Sequence, residues 1–413
     1  MALRERQKVG AIFAPAVQPV FSTHVEAAEY RDRPFGESGW TVGDLNFLRR
    51  GANFDIGVFL TSAHVYRDVK KHDITHVRRA GQTHIVDSGG YSLINSTMKA
   101  SSIARGLWNY QVAHGDIAMT LDVPTATITR GVNPHYRTFD ACLAETLDLL
   151  RLYSDWNTSG DAGPARGRGT KWLNVLQGRN SYESQLWFEA VKGFGFDGWA
   201  FAGDTRRDLS VVITRLFDMF EAGLSPKGAW FHFLGMGSLR AFVVLTALRD
   251  GLRALTGDTT IEVSFDSAEP INCVHGYRAF YEMDDWRRED FGLKRLAIPN
   301  NLSSIGNHDF TGLKGPVLPW MTWNDLAYDP RGAAPGRRAE LGGLKNDLLF
   351  HHHNVWSHVA AFADVGDELR LPRHERVLSV VLSGDYGLVS NLVASGSRAE
   401  LARSVNPLAR IRV

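Results

Sequence analysis

Eight short apolar runs at near-regular spacing constrain this chain more than any other feature of its sequence. They are Val9–Ala16, Phe54–Thr61, His84–Val86, Ile117–Leu121, Trp172–Leu176, Gly198–Ala202, Trp230–Leu234 and Ile261–Phe265. Their β-branched and aromatic content suits strands. Between most of them lie stretches with helical spacing, such as those around Cys142–Tyr153 and Ser210–Ala222. Successive runs start mostly about 30 residues apart, the length of a strand–helix–strand unit. Eight such units predict an α/β fold, a (β/α)8 TIM barrel over residues 1–285, with an open doubly wound sheet as the alternative.

The rhythm stops near residue 285. Asp284–Lys294 is charge-rich, Pro299–Pro319 is loop-like, and Asp329–Leu341 has the composition of a linker. Leu344–Ala361 and Ser397–Val405 then carry helical spacing, so residues 286–413 are expected to form a mostly helical C-terminal appendage. The Gly-, Ser- and Arg-rich stretch Asn157–Thr170 resembles a phosphate cradle in composition. It precedes a strand, however, which assigns it to the N-terminal rim of a barrel, away from the face where barrels place their chemistry.

Composition narrows the class. Two cysteines, Cys142 and Cys273, cannot build a disulfide framework, which fits a reducing compartment. The opening MALRERQKV lacks the apolar core of a signal peptide, and no apolar stretch approaches the roughly 20 residues that cross a bilayer. A cytoplasmic protein without a membrane partner is the expectation. The formal charge of +1 is neutral on nucleic acid, so any polyanion site must come from local arginines.

Side chains at the C-terminal ends of barrel strands converge on one pocket. Here those ends supply Asp87, Ser88, Gly89, Gly90 and Tyr91, then Asp122, then Gln177, Gly178 and Arg179, then Gly203 and Asp204, then Leu234, Gly235, Met236 and Gly237, and finally Asp266. Any one of these aspartates could serve as a helix cap. Four of them beside six glycines describe a site. Glycine lets a flat ligand lie against backbone N–H groups. Gln177 offers a donor and an acceptor, and an ionised Asp122 offers acceptors, an inventory that matches the edge of guanine. Tyr91, Leu234 and Met236 could cover the faces of such a ring, although core packing is the ordinary role of such residues. Asp87 and Asp266 are a carboxylate pair suited to glycosyl transfer, one as nucleophile and one as acid and base.

In this order, these residues resemble the tRNA-guanine transglycosylase superfamily. Asp87 to Tyr91 is similar to its DSGG(F/Y) motif, Leu121 to Thr125 to an LDIPT-type segment, and Val175 to Gly178 to a VQG motif. Ala202 and Gly203 stand where members use a Gly-Gly pair, Phe233 to Gly237 resembles (Y/F)LMGVG, and Phe265 to Ala268 resembles FDSA. The resemblance covers roughly residues 9–280. It implies a (β/α)8 barrel with Asp266 as nucleophile, Asp87 as general acid and base, and Asp122, Gln177 and the Gly203 N–H as base contacts. Ser88, Tyr91, Leu234, Met236 and Asp204 are further candidates for the base pocket.

The chain departs from the family in three places. No cysteine lies beyond Cys273, so the family's cysteine zinc site cannot form. His351, His352 and His353 look like its histidine-bearing helix. A His-only site with His358 or His308 is one reading, and a solvated helix face is the preferred one. Asp204 replaces an apolar residue, and Glu269 to Tyr277 replaces the usual continuation after the nucleophile.

Without the zinc cysteines or an evident RNA-binding domain, the chain looks like the DNA-modifying branch known from phages and DNA-modification clusters. That implies exchange of guanine in DNA for a free 7-deazaguanine such as 7-cyano-7-deazaguanine, with base flipping and no cofactor. Phosphates would fall to Arg179, Arg206, Arg207, Arg240 and Arg278. The C-terminal Arg398, Arg403, Arg410 and Arg412 either extend that track or form a solvated tail. Helper proteins or a second copy are further candidate partners. The alternatives are a tRNA transglycosylase lacking zinc, a non-catalytic nucleic-acid-binding barrel subunit, and a simple glycoside hydrolase.

Overall fold

The structure, a computed structural model, describes residues 2–26, 34, 38–49, 52–67, 80–159, 169–283, 293–298, 310, 313–322 and 344–413. Each of the eight apolar runs forms one strand: β1 (Ile12–Pro15), β2 (Val58–Ser62), β3 (Thr83–Asp87), β4 (Ile117–Met119), β5 (Lys171–Leu176), β6 (Gly198–Phe201), β7 (Trp230–Phe233) and β8 (Glu262–Ser267). All pair in parallel, in the order β1-β8-β7-β6-β5-β4-β3-β2. A single parallel bridge between Ala16 and Leu60, with the Val17 N–H donating to Leu60 O at 2.8 Å, brings the two ends of the sheet together. The result is the (β/α)8 barrel expected from the spacing.

The pleat sorts each strand into two faces. Ile12, Ala14, Val58, Leu60, Ile85, Ile117, Met119, Leu173, Val175 and Ala200 fill the barrel interior. Their neighbours, such as Phe13, Phe59, Val86 and Phe231, face outward into a second, larger core beneath the helices. Those helices start on side-chain caps. Thr138 opens Phe139–Thr158, Asn180 opens Ser181–Val191, Asp208 opens Leu209–Glu221 and Ser238 opens Leu239–Thr256, each by accepting a backbone N–H.

The outer position over β8 and β1 is filled from far along the chain. After β8 comes only the short helix Glu269–Tyr277, then an antiparallel pair, β9 (Ala279–Met283) and β10 (Leu293–Ala297), which the charge-rich sequence did not suggest. The helix Leu344–Arg370 then packs on the barrel wall. Its Phe362 ring lies 4.9 Å from Phe13, 5.3 Å from Phe242 and 5.4 Å from Phe265. Arg6 holds Asp364 at 2.5 Å and Asp367 at 2.8 Å. Helices Val380–Ser395 and Arg398–Ala409 follow, the first of them unforeseen. Arg240 to Asp385 and Arg398 to Asp218 and Glu221 tie them to the barrel.

Two expectations need correction. His351, His352 and His353 do not form a solvated helix face: all three are buried, packed against Phe21 of the helix Pro19–Glu26, Phe54, His275 and Phe280. The loop expected over Asn157–Thr170 begins later, since the preceding helix runs to Thr158, and 160–168 lie outside the described residues. His308 and the linker-like Asp329–Leu341 are also outside them. Among the described residues no helix is long and apolar enough to cross a membrane.

Candidate active site

Strand alternation delivers three of the candidate side chains. Ile85 faces the barrel interior, so Asp87 two residues on does too; Val175 places Gln177 in the same way. On β8, Ser264 and then Asp266 take the inward positions, with Ser264 opposite His232 on β7 and Asp266 opposite Ala14 on β1. Asp122 arrives differently. Its neighbours Leu121 and Val123 are buried in the outer core, and the Val123 N–H is held by Thr146 Oγ1 at 3.0 Å, so Asp122 turns toward the mouth.

Burial biases Asp87 and Asp122 toward protonation, and for Asp87 neighbouring negative charge adds to it. Asp87 is pushed up to about 7, first by burial and then by the negative charge of Asp266, while the backbone N–H groups of Ser88 and Gly89 oppose the rise. Gly89 makes that turn with φ +81°, and any side chain there would collide with His64 and Ser62. Burial raises Asp122 to about 6, against a 2.7 Å hydrogen bond from Gln177 Nε2 to its Oδ2. Asp266 Oδ1 accepts from the Gly235 N–H at 2.8 Å and stands 3.2 Å from His232 Nε2.

The base-edge candidates form one surface. Gln177 Oε1 is buried without a hydrogen-bond partner, next to Gly203. A Cβ on Gly203, whose φ is +67°, would stand 2.7 Å from that oxygen. One on Gly90 would stand 2.9 Å from Asp122 O. Backbone and amide thus pack closely around Gly203 and Gly90, with one unused acceptor buried among them.

The remaining candidates divide. Leu234 packs on the barrel interior and Ser88 is buried beside Asp87. Tyr91 is 71% exposed at the rim. Met236 is 3% exposed within the outer core, so it offers no face to a ligand, and Asp204 points to solvent. Of the arginines, Arg179 is clasped by Glu183, Arg240 by Asp385 and Arg278 by Asp347. Their charge is already compensated within the chain, unlike that of exposed Arg207. Arg206 is largely buried, donates to Gly203 O, and is held below its ordinary pKa by burial and then by Arg207, with Asp266 opposing.

Sequence reasoning missed Trp230, His232 and Ser264, which hydrogen-bond in a row beneath Asp266. The signal was present: each is a polar or amphipathic residue at an inward-facing position of β7 or β8. Among the described residues no group of three His, Cys, Asp or Glu side chains is arranged to hold a metal ion. Comparison with known families finds no family model that matches the chain, and comparison with curated proteins finds no match.

Proposed function

We propose that this chain exchanges a guanine base in DNA for a free 7-deazaguanine through a covalent link between Asp266 and the deoxyribose. The observation that carries the reading is the convergence of Asp87, Asp122 and Asp266 on one barrel mouth, beside the unpartnered Gln177 Oε1 and the bare backbone of Gly203. Separate roles follow from separate environments. A carboxyl raised to about 7 keeps its proton near neutral pH and can give it away. Asp266, with Oδ1 held by the Gly235 N–H and Oδ2 without a hydrogen bond among the described residues, is the carboxylate suited to attack.

In the first half-reaction a carboxylate oxygen of Asp266 forms a bond to C1′ as the bond from C1′ to guanine N9 breaks. The electron pair leaves with the base, and Asp87 supplies the proton that neutralises it. In the second, the incoming base loses its N9 proton to Asp87 and its nitrogen displaces Asp266 from C1′. One glycosidic bond replaces another, so atoms and charge balance without a redox partner or ATP. Asp122 and Gln177 grip the base edge in both halves.

The test is incubation with 7-cyano-7-deazaguanine and either DNA or tRNA, followed by nucleoside mass spectrometry. The modified deoxynucleoside is expected, and Asp266→Ala should abolish it together with any covalent adduct. Modified ribonucleoside alone would move the activity to tRNA. Sugar release without base exchange would point to a hydrolase.

A further inference from the structure

We propose that His232 is a positioning residue that selects which oxygen of Asp266 reacts, a proposal that rests on the base-exchange reading above. His232 and Ser264 face each other across β7 and β8, and both are fully buried inside the barrel. The indole N–H of Trp230 can only donate, and it stands 2.6 Å from Ser264 Oγ. Ser264 therefore accepts there and still has its own hydroxyl proton to place. Among the described residues His232 Nδ1, at 2.8 Å, is the one acceptor its hydroxyl meets.

The direction of the chain follows. Ser264 donates to Nδ1, the ring proton sits on Nε2, and Nε2–H is aimed at Asp266 Oδ1 at 3.2 Å. The Gly235 N–H reaches the same oxygen at 2.8 Å. Two donors on Oδ1 stop the carboxylate from turning about its Cβ–Cγ bond. Oδ2 has no hydrogen bond within the described chain, so its lone pairs are the ones left for C1′. His232 keeps its proton throughout, and its contribution is orientation.

Nitrogen-15 histidine spectra of the wild-type protein, with the signal assigned through His232→Gln, read the tautomer directly. A bare Nδ1 with protonated Nε2 is expected, and a proton on Nδ1 would overturn the proposal. Labelled-guanine exchange into single-stranded DNA reads the consequence. His232→Leu should lower kcat on the order of 10²-fold, the scale of a misplaced reacting group, with little change in the KM for guanine. His232→Gln, which can restore an N–H donor, should recover part of the loss, and Ser264→Ala should show a smaller loss in kcat at the same KM. Should His232→Leu not fold, the Ser264→Ala and His232→Gln pair decides. Wild-type kcat in both Ser264→Ala and His232→Gln, or losses appearing in KM instead, would sink the positioning role. A wild-type protein that exchanges no guanine removes the underlying reading, and this proposal with it.

Discussion

Gln177 gives its amide N–H to Asp122 at 2.7 Å and so turns its own carbonyl oxygen, buried and unpartnered, toward Gly203. The amide is pinned in one orientation by that bond, which leaves its acceptor unused beside Gly203. Gln177→Leu should raise the KM for guanine about tenfold or more, the effect of losing one buried hydrogen bond, with a smaller change in kcat. Labelled-guanine exchange measures both, and an unchanged KM would mean the base edge is read elsewhere.

Gly203 is the natural place to disturb the packing around that acceptor. Its positive φ disfavours any side chain, and the added methyl of Gly203→Ala would press on Gln177 Oε1 from 2.7 Å. We expect a stability loss of about 1–3 kcal/mol from backbone strain, together with weakened guanine binding. Thermal melting with and without guanine separates the two effects. A variant as stable as the parent and still protected by guanine would contradict the close packing described at Gly203.

Asp87 sets the pH behaviour. With its pKa raised to about 7 by burial and the charge of Asp266, its proton is present below that pH and lost above it. Guanine release in a single turnover should fall about tenfold per pH unit above roughly 7. The stability effect has the same origin. Between the ordinary value of 3.8 and about 7 the folded state holds a proton that the unfolded state has released, so stability declines as pH rises through that window. Asp87→Asn should therefore be more stable than the parent at pH 8 by about 2 kcal/mol, half the full linkage value because the carboxyl is partly exposed. Urea denaturation at pH 5 and pH 8 would show it, with the advantage shrinking at the lower pH.

The buried histidines act in the opposite direction. Burial lowers His352 to about 3 and His353 and His358 to about 4, so each stays neutral in the folded chain. The unfolded chain takes up these protons at the ordinary value near 6.5, so stability present above that pH is lost as pH falls toward 4. His352 has no hydrogen-bond partner on either ring nitrogen and meets Phe54 edge-on at 4.7 Å. His352→Leu should flatten the acid limb of a stability-against-pH curve, and an unaltered limb would place the acid sensitivity elsewhere.

These histidines mark the boundary of what the sequence made legible. Strand spacing exposed all eight strands, and the C-terminal ends of those strands pointed to Asp87, Asp122, Gln177 and Asp266, because both signals are local. Burial of His351 to His353 depends on packing against Phe21 and Phe54, some 300 residues earlier, and against His275 and Phe280, some 70 earlier, which no local pattern encodes. The same holds for Arg240 and Arg278, which read as free cations until Asp385 and Asp347 were found beside them. Met236 was read with Tyr91 and Leu234 as a possible ring cover, yet three residues past the end of β7 the backbone has turned and its side chain enters the outer core. His232 was legible in principle, as a polar residue at an inward position, and was passed over because it lies one layer below the strand ends.

The seating of the C-terminal helix is a structural claim with its own test. Phe362 touches Phe13, Phe242 and Phe265 at once, so Phe362→Ala should cost about 3–5 kcal/mol, as for other large buried aromatics. Chemical denaturation monitored by tryptophan fluorescence would measure it. A cost below about 1 kcal/mol would mean that the helix is dispensable to the barrel.

The pairing of Arg6 with Asp364 and Asp367 has a consequence for synthesis. A ribosome exposes β1 early, but the helix that covers its outer face emerges only some 340 residues later. Until then Phe13 and its neighbours have no permanent cover, and contacts spanning so much chain form slowly. The nascent protein therefore needs either a temporary partner over that seam or a compact waiting state, and the barrel reaches its final packing only after nearly all of the chain has left the tunnel.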